Sequence, residues 1–250
     1  MYGLGIDSGS TTTKGVLFDE NGIVEKMIMP TGVNPRKTIK ELYDTLKGDR
    51  EVFTVTTGYG RNLLEESDKK ITEITCHGKG ATFLGGDISG VIDIGGQDSK
   101  AILLDRYNSV QDFLMNDKCA AGTGRFIEVI MRIFQQDMES LDDFIGGHEP
   151  VKITSMCTVF AESEVVSMLG QGIDANSIAM GVIDSICQRT ANFVSKLPME
   201  NKVFFSGGLA DSEVIRQTLE EKLGMEVVVS ELSQFTGAIG AAMIAYDKAQ

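Results

Sequence analysis

A fourteen-residue unit occurs twice in this chain of 250 residues, at residues 6–19 and again at residues 92–105. The two copies align without a gap and share six residues, among them an Asp, a Gly and a Lys in the same phase. In each copy an apolar run ends in Asp, a polar turn with glycine follows, and a second apolar run closes the unit. This order predicts a β-hairpin with a carboxylate at the end of its first strand. We interpret the repeat as a duplication that builds two similar lobes, with their turns facing each other across a cleft.

Glycine is abundant, at 28 of 250 residues, and it clusters directly after β-branched runs at 4–9, 55–60, 91–96 and 203–208. Such runs predict strands that enter tight turns. Between them, apolar residues recur at three- and four-residue spacing, which predicts helices. The predicted helices are Thr38–Leu46, Arg125–Gln136, Thr158–Leu169, Ser177–Leu197, Ser212–Leu223 and Thr236–Asp247. Strands mixed with helices predict an α/β fold.

The charge balance disfavours two classes of partner. Lys and Arg number 23 against 36 Asp and Glu, a net charge of −13, which fits neither nucleic acid nor an anionic membrane surface. No apolar run approaches the ~20 residues of a membrane helix. The first residues show no basic segment followed by an apolar one, so we expect no signal peptide and a cytoplasmic protein. Four cysteines are too few for a disulfide scaffold and direct attention to metal or redox chemistry.

The glycine turns are suited to binding phosphate. Backbone N–H groups in such turns approach an anion closely, and hydroxyl groups add further donors. The turn of the first copy offers Ser8, Gly9, Ser10, Thr11, Thr12, Thr13 and Lys14. Because Asp7 and Asp93 repel bare phosphate, a bridging Mg²⁺ held through water is implied. For a single turn an ordinary structural role is the better interpretation, but three turns with two matched acids favour nucleotide binding.

Two of the four cysteines lie directly ahead of predicted helices. Cys119 and Cys157 are 38 residues apart, a spacing that matches no zinc ribbon, and two thiolates do not complete a four-cysteine site. A helix N-terminus lowers the pKa of a thiol and stabilises added negative charge. Two interpretations follow from the residues alone. Either both are buried free cysteines, or two copies of the chain share one [4Fe–4S] cluster.

The other reactive side chains carry weaker signals. Cys76 and His77 are adjacent and point apart on either a helix or a strand, so we expect a structural or lobe-contact role for them. Cys187 falls in a helical apolar period and is expected in the core, and His148 in a glycine loop is expected to be solvated. Two histidines give a Ser-His-Asp triad no support. Glu162 and Glu164 are expected to complement a helix N-terminus, and no role between sites is assigned to them.

The three glycine turns resemble those of the superfamily of sugar and acetate kinases, actin and heat-shock chaperone ATPases. Neither G-x-x-x-x-G-K-[ST] nor a helix-opening G-x-G-x-x-G occurs, so a P-loop or dinucleotide-binding domain is not expected. The resemblance implies a two-lobed actin-like (ribonuclease H-like) ATPase fold with duplicated hairpin phosphate turns. It places ATP or ADP on turn one (Asp7–Lys14), turn two (Asp93–Asp98) and an adenosine turn of Ser206, Gly207 and Gly208. In turn two it assigns Gly95, Gly96 and Gln97 to the nucleotide, and Asp7, Asp93 and Gln97 to hydrolysis.

Longer segments narrow the resemblance to one family. Residues 116–126, 155–165, 57–61 and 74–78 closely resemble the ATP-dependent activators of 2-hydroxyacyl-CoA dehydratases, to which benzoyl-CoA reductase ATP-binding subunits are related. This resemblance runs over essentially the whole chain. It implies a homodimer that shares one [4Fe–4S] cluster through Cys119 and Cys157, and Mg²⁺ near Asp7 and Asp93. It also implies ferredoxin or flavodoxin as electron donor and an iron–sulfur dehydratase or reductase as acceptor.

The expected domain organisation follows the repeat. Residues 1–89 with 237–250 form lobe one, where the small-residue helix from Gly237 connects the lobes, and residues 90–236 form lobe two. The expected activity is ATP hydrolysis coupled to one-electron reduction of a partner enzyme. Alternatives are reduction of a double-cubane iron–sulfur protein or a CoA-ester reductase, a metabolite kinase of the same fold, and a nucleotide-gated binding module with inert cysteines.

Overall fold

The strands and helices were located in a computed structural model that describes residues 1–117, 123–155 and 157–250. The strands are β1 (Tyr2–Ser8), β2 (Thr12–Asp19), β3 (Gly22–Pro30), β4 (Val52–Gly58), β5 (Lys69–Lys70), β6 (Gly90–Ile94), β7 (Ser99–Leu104), β8 (Val110–Asn116), β9 (Lys202–Gly207) and β10 (Glu226–Val228). The helices are α1 (Pro35–Lys47), α2 (Glu73–Gly85), α3 (Gly124–Ile133), α4 (Leu141–Ile145), α5 (Thr158–Gly170), α6 (Ala175–Val194), α7 (Glu213–Leu223) and α8 (Thr236–Ala249). The α/β prediction is therefore confirmed.

The duplication extends from the hairpin to the whole sheet. One sheet has the order β3-β2-β1-β4-β5 and the other the order β8-β7-β6-β9-β10. In both, an antiparallel three-stranded meander is followed by a strand parallel to the first one, β4 beside β1 and β9 beside β6. The two halves of the chain thus fold with the same strand topology.

The registers of the two hairpins agree residue by residue. Asp7 lies opposite Lys14 in one and Asp93 lies opposite Lys100 in the other. The register shifts after Leu17 in the first sheet and after Leu103 in the second, and these are aligned residues of the repeat. A bulge at the same place in both copies indicates that the repeat preserves geometry as well as sequence.

Apolar side chains alternate along the strands and fix which helix covers each face. On β1, Leu4 and Ile6 pack against α1, whereas Val16 and Phe18 of β2 pack against α8 on the other face. Asp7, which follows Ile6, therefore points towards α8.

The second sheet is covered in the same way. Ile92 and Ile94 of β6 pack with α3, α6 and α7, whereas Val91 and Ile102 pack with α2. Asp93 lies between Ile92 and Ile94 and therefore points towards α2. Helices α8 and α2 form the layer between the two sheets, and the carboxylates of both repeats face that layer.

Helices α2 and α8 cross with their backbones in close contact. A Cβ on Gly80 would lie 2.0 Å from the Thr236 carbonyl oxygen, and a Cβ on Gly240 would lie 1.8 Å from that of Cys76. Only glycine fits at these two positions. The small residues of α8 thus bring α2, with the side chains near its N-terminus, against the layer that the two acids face.

The six predicted helices are all present, with ends that differ from the prediction by a few residues. Helices α2 and α4 were not predicted, because α2 is rich in Gly and Thr and α4 has only five residues. Loop residues 146–149 lie between α4 and α5, where a loop was expected. Within the described residues, none of the helices is both long and apolar enough to cross a membrane.

Candidate nucleotide site

A cavity of about 260 Å³ opens between the two sheets, at the ends of β1, β6 and β9. All three predicted turns contribute to its wall. Of the predicted site residues, the wall contains Asp7, Ser10, Thr11, Thr12, Lys14, Asp93, Gly95, Gly96, Gly207 and Gly208. The tertiary structure therefore brings together turns that are about 200 residues apart in the chain.

Four predicted residues do not form part of the wall. Ser8 is buried behind turn one, where its hydroxyl lies 3.3 Å from that of Thr13. Gly9 closes the turn through its N–H to the carbonyl of Thr12, and Ser206 donates to Asp93. The side chain of Gln97 is exposed. A role for Gln97 in orienting water remains a prediction.

The two phosphate turns are built alike and touch each other. The N–H of Gly9 donates to the Thr12 carbonyl at 3.1 Å, and that of Gly95 donates to the Asp98 carbonyl at 2.9 Å. A Cβ on Gly96 would lie 2.2 Å from the Thr11 hydroxyl oxygen, so the turns are in direct contact. Because Gly96 has no Cβ, the two turns can approach each other from opposite sides of the cavity.

The matched acids have different surroundings. Asp93 is 4% exposed, and its Oδ2 lies 3.0 Å from Lys100 Nζ while Oδ1 accepts a 2.7 Å hydrogen bond from Ser206. Burial raises the pKa of Asp93, but Lys100 and His77 outweigh burial and hold that pKa well below its usual value. Asp7 is 7% exposed, and its carboxylate makes no hydrogen bond or ion pair with any residue in the described ranges.

The two lysines of the repeat differ in the same way as the two acids: among the described residues the second is paired and the first is not. Lys100 is 3% exposed and forms ion pairs with Asp93, with Asp98 at 2.8 Å and with Glu73 at 3.6 Å. Burial disfavours the ammonium, but Asp93 and Asp98 raise the pKa of Lys100 above its ordinary value. Within the described part of the chain Lys14 forms no ion pair. The first copy of the repeat thus presents an open acid and an open cation, whereas the second neutralises its own.

His77 contacts Asp93 of the second repeat and lies near Asp7 of the first. Its Nδ1 lies 2.9 Å from the carbonyl oxygen of Glu73, and its Nε2 lies 3.4 Å from Asp93 Oδ1. Burial lowers the pKa of His77, but Asp93 and Asp7 outweigh burial and raise it to about 9. A Cβ on Gly237 would lie 2.8 Å from the imidazole and 2.5 Å from Asp7 Oδ2, so α8 begins between His77 and Asp7.

Sequence reasoning missed Glu73, His77 and Lys100 as cavity residues. For Lys100 a signal was available, because it occupies the position of Lys14 in the repeat. Glu73 and His77 are four residues apart and share one face of α2. That face was not visible in the sequence because α2 itself was not predicted.

Turn two is also tied to the segment that contains Cys119. The N–H of Gly124 donates to the Gly95 carbonyl at 2.9 Å, and the N–H of Arg125 donates to that of Gly96 at 3.0 Å. These are the first residues of α3, five and six residues after Cys119, which itself lies outside the described residues. A displacement of turn two would therefore be transmitted to the start of α3 through two backbone hydrogen bonds.

The remaining cysteines fall into two groups. Cys76 and Cys187 are buried, and burial raises the pKa of each thiol to about 12. Cys187 lies in the core, as expected. Cys157 is exposed at the start of α5, and its side chain makes no capping hydrogen bond there.

A family model described as the BadF/BadG/BcrA/BcrD ATPase family matches residues 4–245. The chain belongs to this ATPase family. The activating ATPase of (R)-2-hydroxyglutaryl-CoA dehydratase from Acidaminococcus fermentans is 41% identical over 257 residues, which cover 100% of this chain and 98% of that one. A benzoyl-CoA reductase subunit from Thauera aromatica is 30% identical, covering 96% of this chain and 91% of its own.

Solved structures agree with this assignment. The activator of 2-hydroxyisocaproyl-CoA dehydratase from Clostridium difficile, with bound ADPNP, has a TM-score of 0.91 at 37% identity and covers 100% of this ATPase and 96% of its own chain. A glucokinase from Streptomyces griseus has a TM-score of 0.61 at 13% identity, covering 99% and 100%, and shares the fold alone. The actin-like ATPase fold and the family that the sequence motifs resemble are thereby confirmed.

Proposed function

We propose that this ATPase is a one-electron reductase that hydrolyses ATP to activate a partner enzyme such as a 2-hydroxyacyl-CoA dehydratase. One observation carries the proposal. Turn two, which faces the nucleotide cavity, is hydrogen-bonded to the first two residues of the helix that follows Cys119. Such a connection would let the nucleotide state at turn two reach the segment that contains Cys119.

In the proposed nucleotide complex, ATP occupies the cavity between the sheets. Lys14 and the hydroxyls of Thr11 and Thr12 supply positive charge and donors to the phosphates, and Gly207 with Gly208 lies against the adenosine. The backbone N–H groups of both turns would stabilise charge as it develops on the transferred phosphoryl group. Gln97 remains our candidate for orienting the attacking water.

The donor set at the cavity fits Mg²⁺ held through water. Carboxylate and hydroxyl oxygens are the ligands that this ion prefers, and it keeps several waters when bound beside phosphates. Among residues 1–117, 123–155 and 157–250, no group of three or more His, Cys, Asp or Glu side chains forms a ready metal site. Asp7, whose carboxylate is unpaired in this set, is the better placed of the two acids to bind the metal's waters. Asp93 would act mainly by holding Lys100 and His77 in place.

For the [4Fe–4S] cluster we propose Cys119 and Cys157 from each of two identical subunits. Cys157 fits such a shared site because its thiol is exposed at a helix start, whereas Cys76 and Cys187 are buried with raised pKa values. When bound, the cluster supplies a reversible one-electron couple. The protein's part would be to hold the thiolate of Cys157 at the start of α5 and that of Cys119, which precedes α3 in the chain, and to transmit nucleotide state to both.

We further propose the division into lobes at residues 1–89 with 237–250 and at residues 90–236. The layer of α2 and α8 would then carry the relative movement of the two sheets, because the glycines at their crossing leave only backbone in contact. The cytoplasm, a ferredoxin or flavodoxin donor and a dimeric state belong to the same proposal.

A second acceptor is favoured by one comparison. The relative named as a benzoyl-CoA reductase subunit matches almost the whole chain, so another CoA-ester reductase is an alternative partner. A double-cubane iron–sulfur protein would require the same chemistry of this ATPase. The likeness to a glucokinase concerns the fold alone and lends a kinase activity no support.

The test is the metal content of the protein purified without oxygen. One shared [4Fe–4S] cluster requires about two irons per chain and a dimer in solution. Cys119→Ala and Cys157→Ala should each lose the iron, while Cys187→Ala, which removes a buried core thiol, should keep it. Four irons per chain in a monomer would contradict the shared site.

A further inference from the structure

Cys157 is preceded by a short segment without helix or strand, residues 151–155. Cys157 itself is the N-cap residue of α5, with extended backbone angles of φ −101° and ψ 136°. An extended segment at a protein surface has many conformations unless other groups hold it. A thiolate that must meet three other ligands at fixed distances therefore needs a support for this segment.

Glu164 provides such a support from the second turn of α5. Its Oε1 accepts hydrogen bonds from the N–H of Thr154 at 2.9 Å and from the Thr154 hydroxyl at 2.7 Å. Its Oε2 accepts from the N–H of Ser155 at 2.8 Å. Both carboxylate oxygens are thus used on two consecutive residues, nine and ten positions back along the chain. Burial raises the pKa of Glu164, but these hydrogen bonds outweigh it and lower the pKa to about 2.

Arg189 of α6 holds the same segment from the other side. Its Nη2 donates a 2.7 Å hydrogen bond to the carbonyl oxygen of Ser155. The N–H of Ser155 is therefore fixed by an anion and its carbonyl by a cation, two residues before Cys157. Charge-assisted hydrogen bonds are shorter and stronger than neutral ones, so this arrangement restricts the segment more than an ordinary loop contact would.

We propose that Glu164 is the positioning residue for Cys157, holding residues 154 and 155 so that the thiolate leaves α5 in the direction of the shared cluster. The inference rests on the proposed function. Helix caps are ordinarily supplied by the side chain of the cap residue itself. Here that residue is Cys157, whose sulfur makes no capping bond, and the carboxylate that orders the segment comes from further along the same helix.

The chain offers a matched control in Glu162. It lies on the same helix and is exposed, and its side chain makes no hydrogen bond or ion pair with the part of the chain that the structure describes. Glu164→Gln and Glu162→Gln remove the same charge from the same helix. Any difference between the two variants therefore reports the contacts of Glu164 and not its charge alone.

The experiment follows iron release from the anaerobic holoprotein to a ferrous chelator. Residues that orient metal ligands typically contribute 10- to 100-fold to metal affinity, so Glu164→Gln should release iron roughly tenfold faster than wild type. Glu164→Asp keeps the charge on a side chain that is one methylene shorter, so it should release iron about as fast as Glu164→Gln. Thr154→Val removes only the hydroxyl contact and should give a smaller increase. Glu162→Gln should match wild type.

A second measurement does not depend on the cluster. Amide hydrogen exchange at Thr154 and Ser155 should become faster in Glu164→Gln and stay unchanged in Glu162→Gln. Wild-type iron release from Glu164→Gln, or unchanged exchange at these amides, overturns the inference. Retention of iron by Cys157→Ala overturns the proposed function and the inference with it, whereas loss of iron there leaves Glu164→Gln to decide the inference alone.

Discussion

The aligned residues Asp7 and Asp93 are identical in sequence and different in charge environment. Asp93 contacts Lys100, Ser206 and His77, whereas Asp7 is left open to the cavity. A buried acid whose partners are cations is part of a network, and removing it leaves the buried cations without a counter-charge. A buried acid without a partner is held at a cost in solvation, which is reasonable only where a ligand completes its surroundings.

We therefore predict that Asp7→Asn mainly lowers ATP hydrolysis, whereas Asp93→Asn mainly lowers stability. Asp7→Asn should lower Mg-ATP hydrolysis about a hundredfold with little change in the free energy of unfolding. Asp93→Asn should cost about 3 kcal/mol of that free energy, because Lys100 and His77 lose their shared partner. Steady-state kinetics and urea titration of both variants are the measurements. Equal stabilities of the two variants would contradict the assigned roles. Normal ATP hydrolysis by Asp7→Asn would show that Asp7 takes no part in the reaction.

His77 makes stability depend on pH. Its pKa is about 9 in the folded protein and 6.5 without the fold, so the folded state binds more protons between these values. The stabilisation is fully present below pH 6.5 and is lost as pH rises through 9. From pH 6.5 to 9 the wild type should lose on the order of 3 kcal/mol more than His77→Gln. Urea titration of protein free of nucleotide and magnesium at both pH values tests this, and parallel pH profiles would refute it.

At the scale of the elements, we expect the start of α3 to connect the nucleotide site with the proposed cluster site, because it is hydrogen-bonded to turn two. Thr123 has extended angles of φ −129° and ψ 161°, and Gly124 is the first helical residue. Proline is well tolerated at that position and follows an extended residue readily, but it has no N–H. Gly124→Pro therefore removes the hydrogen bond to the Gly95 carbonyl while leaving the helix itself intact.

Gly124→Pro should uncouple the cluster from the nucleotide. In wild type, the electron paramagnetic resonance signal of the reduced dimer should differ between ADP and a non-hydrolysable ATP analogue, and in Gly124→Pro the two signals should coincide. Gly124→Ala is the control, because its Cβ would lie 3.4 Å from the nearest atom, the Gly95 carbonyl oxygen, and its N–H is retained. A nucleotide response preserved in Gly124→Pro would show that another path carries the coupling.

At the scale of the whole molecule, the two repeats line one cavity, while only the second continues into the cysteine segments. The open pair Asp7 and Lys14 lies on the first sheet, and turn two with α3 lies on the second. Thr11 and Gly96 are in contact across the cavity, so we expect phosphate bound at one turn to affect the other. Closure around ATP is thus the movement by which we expect binding energy to reach the cluster.

Linkage makes this coupling reciprocal. If nucleotide state changes the reduction potential, then reduction must change nucleotide affinity by the same factor. A shift of ~59 mV in a one-electron couple corresponds to a tenfold change in affinity. We expect the ADP and ATP-analogue dissociation constants to differ between oxidised and reduced dimer, measured anaerobically by titration. Identical constants in both redox states would leave a redox protein that merely binds ATP.

The sequence by itself determined the class of fold, the three turns and the family. The repeat fixed the hairpins because a strand period of two residues leaves one face for Leu4 and Ile6 and the other for Asp7. Turn chemistry is local, so a run of hydroxyls and glycines ending in Lys14 is visible without any tertiary contact. Cys187 was placed in the core for the same reason, since its helical period is local.

Only the tertiary structure decided which copy of the repeat is open and which is neutralised. Asp93 differs from Asp7 because α2 brings His77 and Glu73 to the second sheet, and no spacing in the chain encodes that approach. The support of Cys157 likewise depends on Glu164 and Arg189, which belong to two different helices. Electrostatic energies fall with distance in space and not along the chain, so identical residues acquire different roles once burial and partners are set by packing.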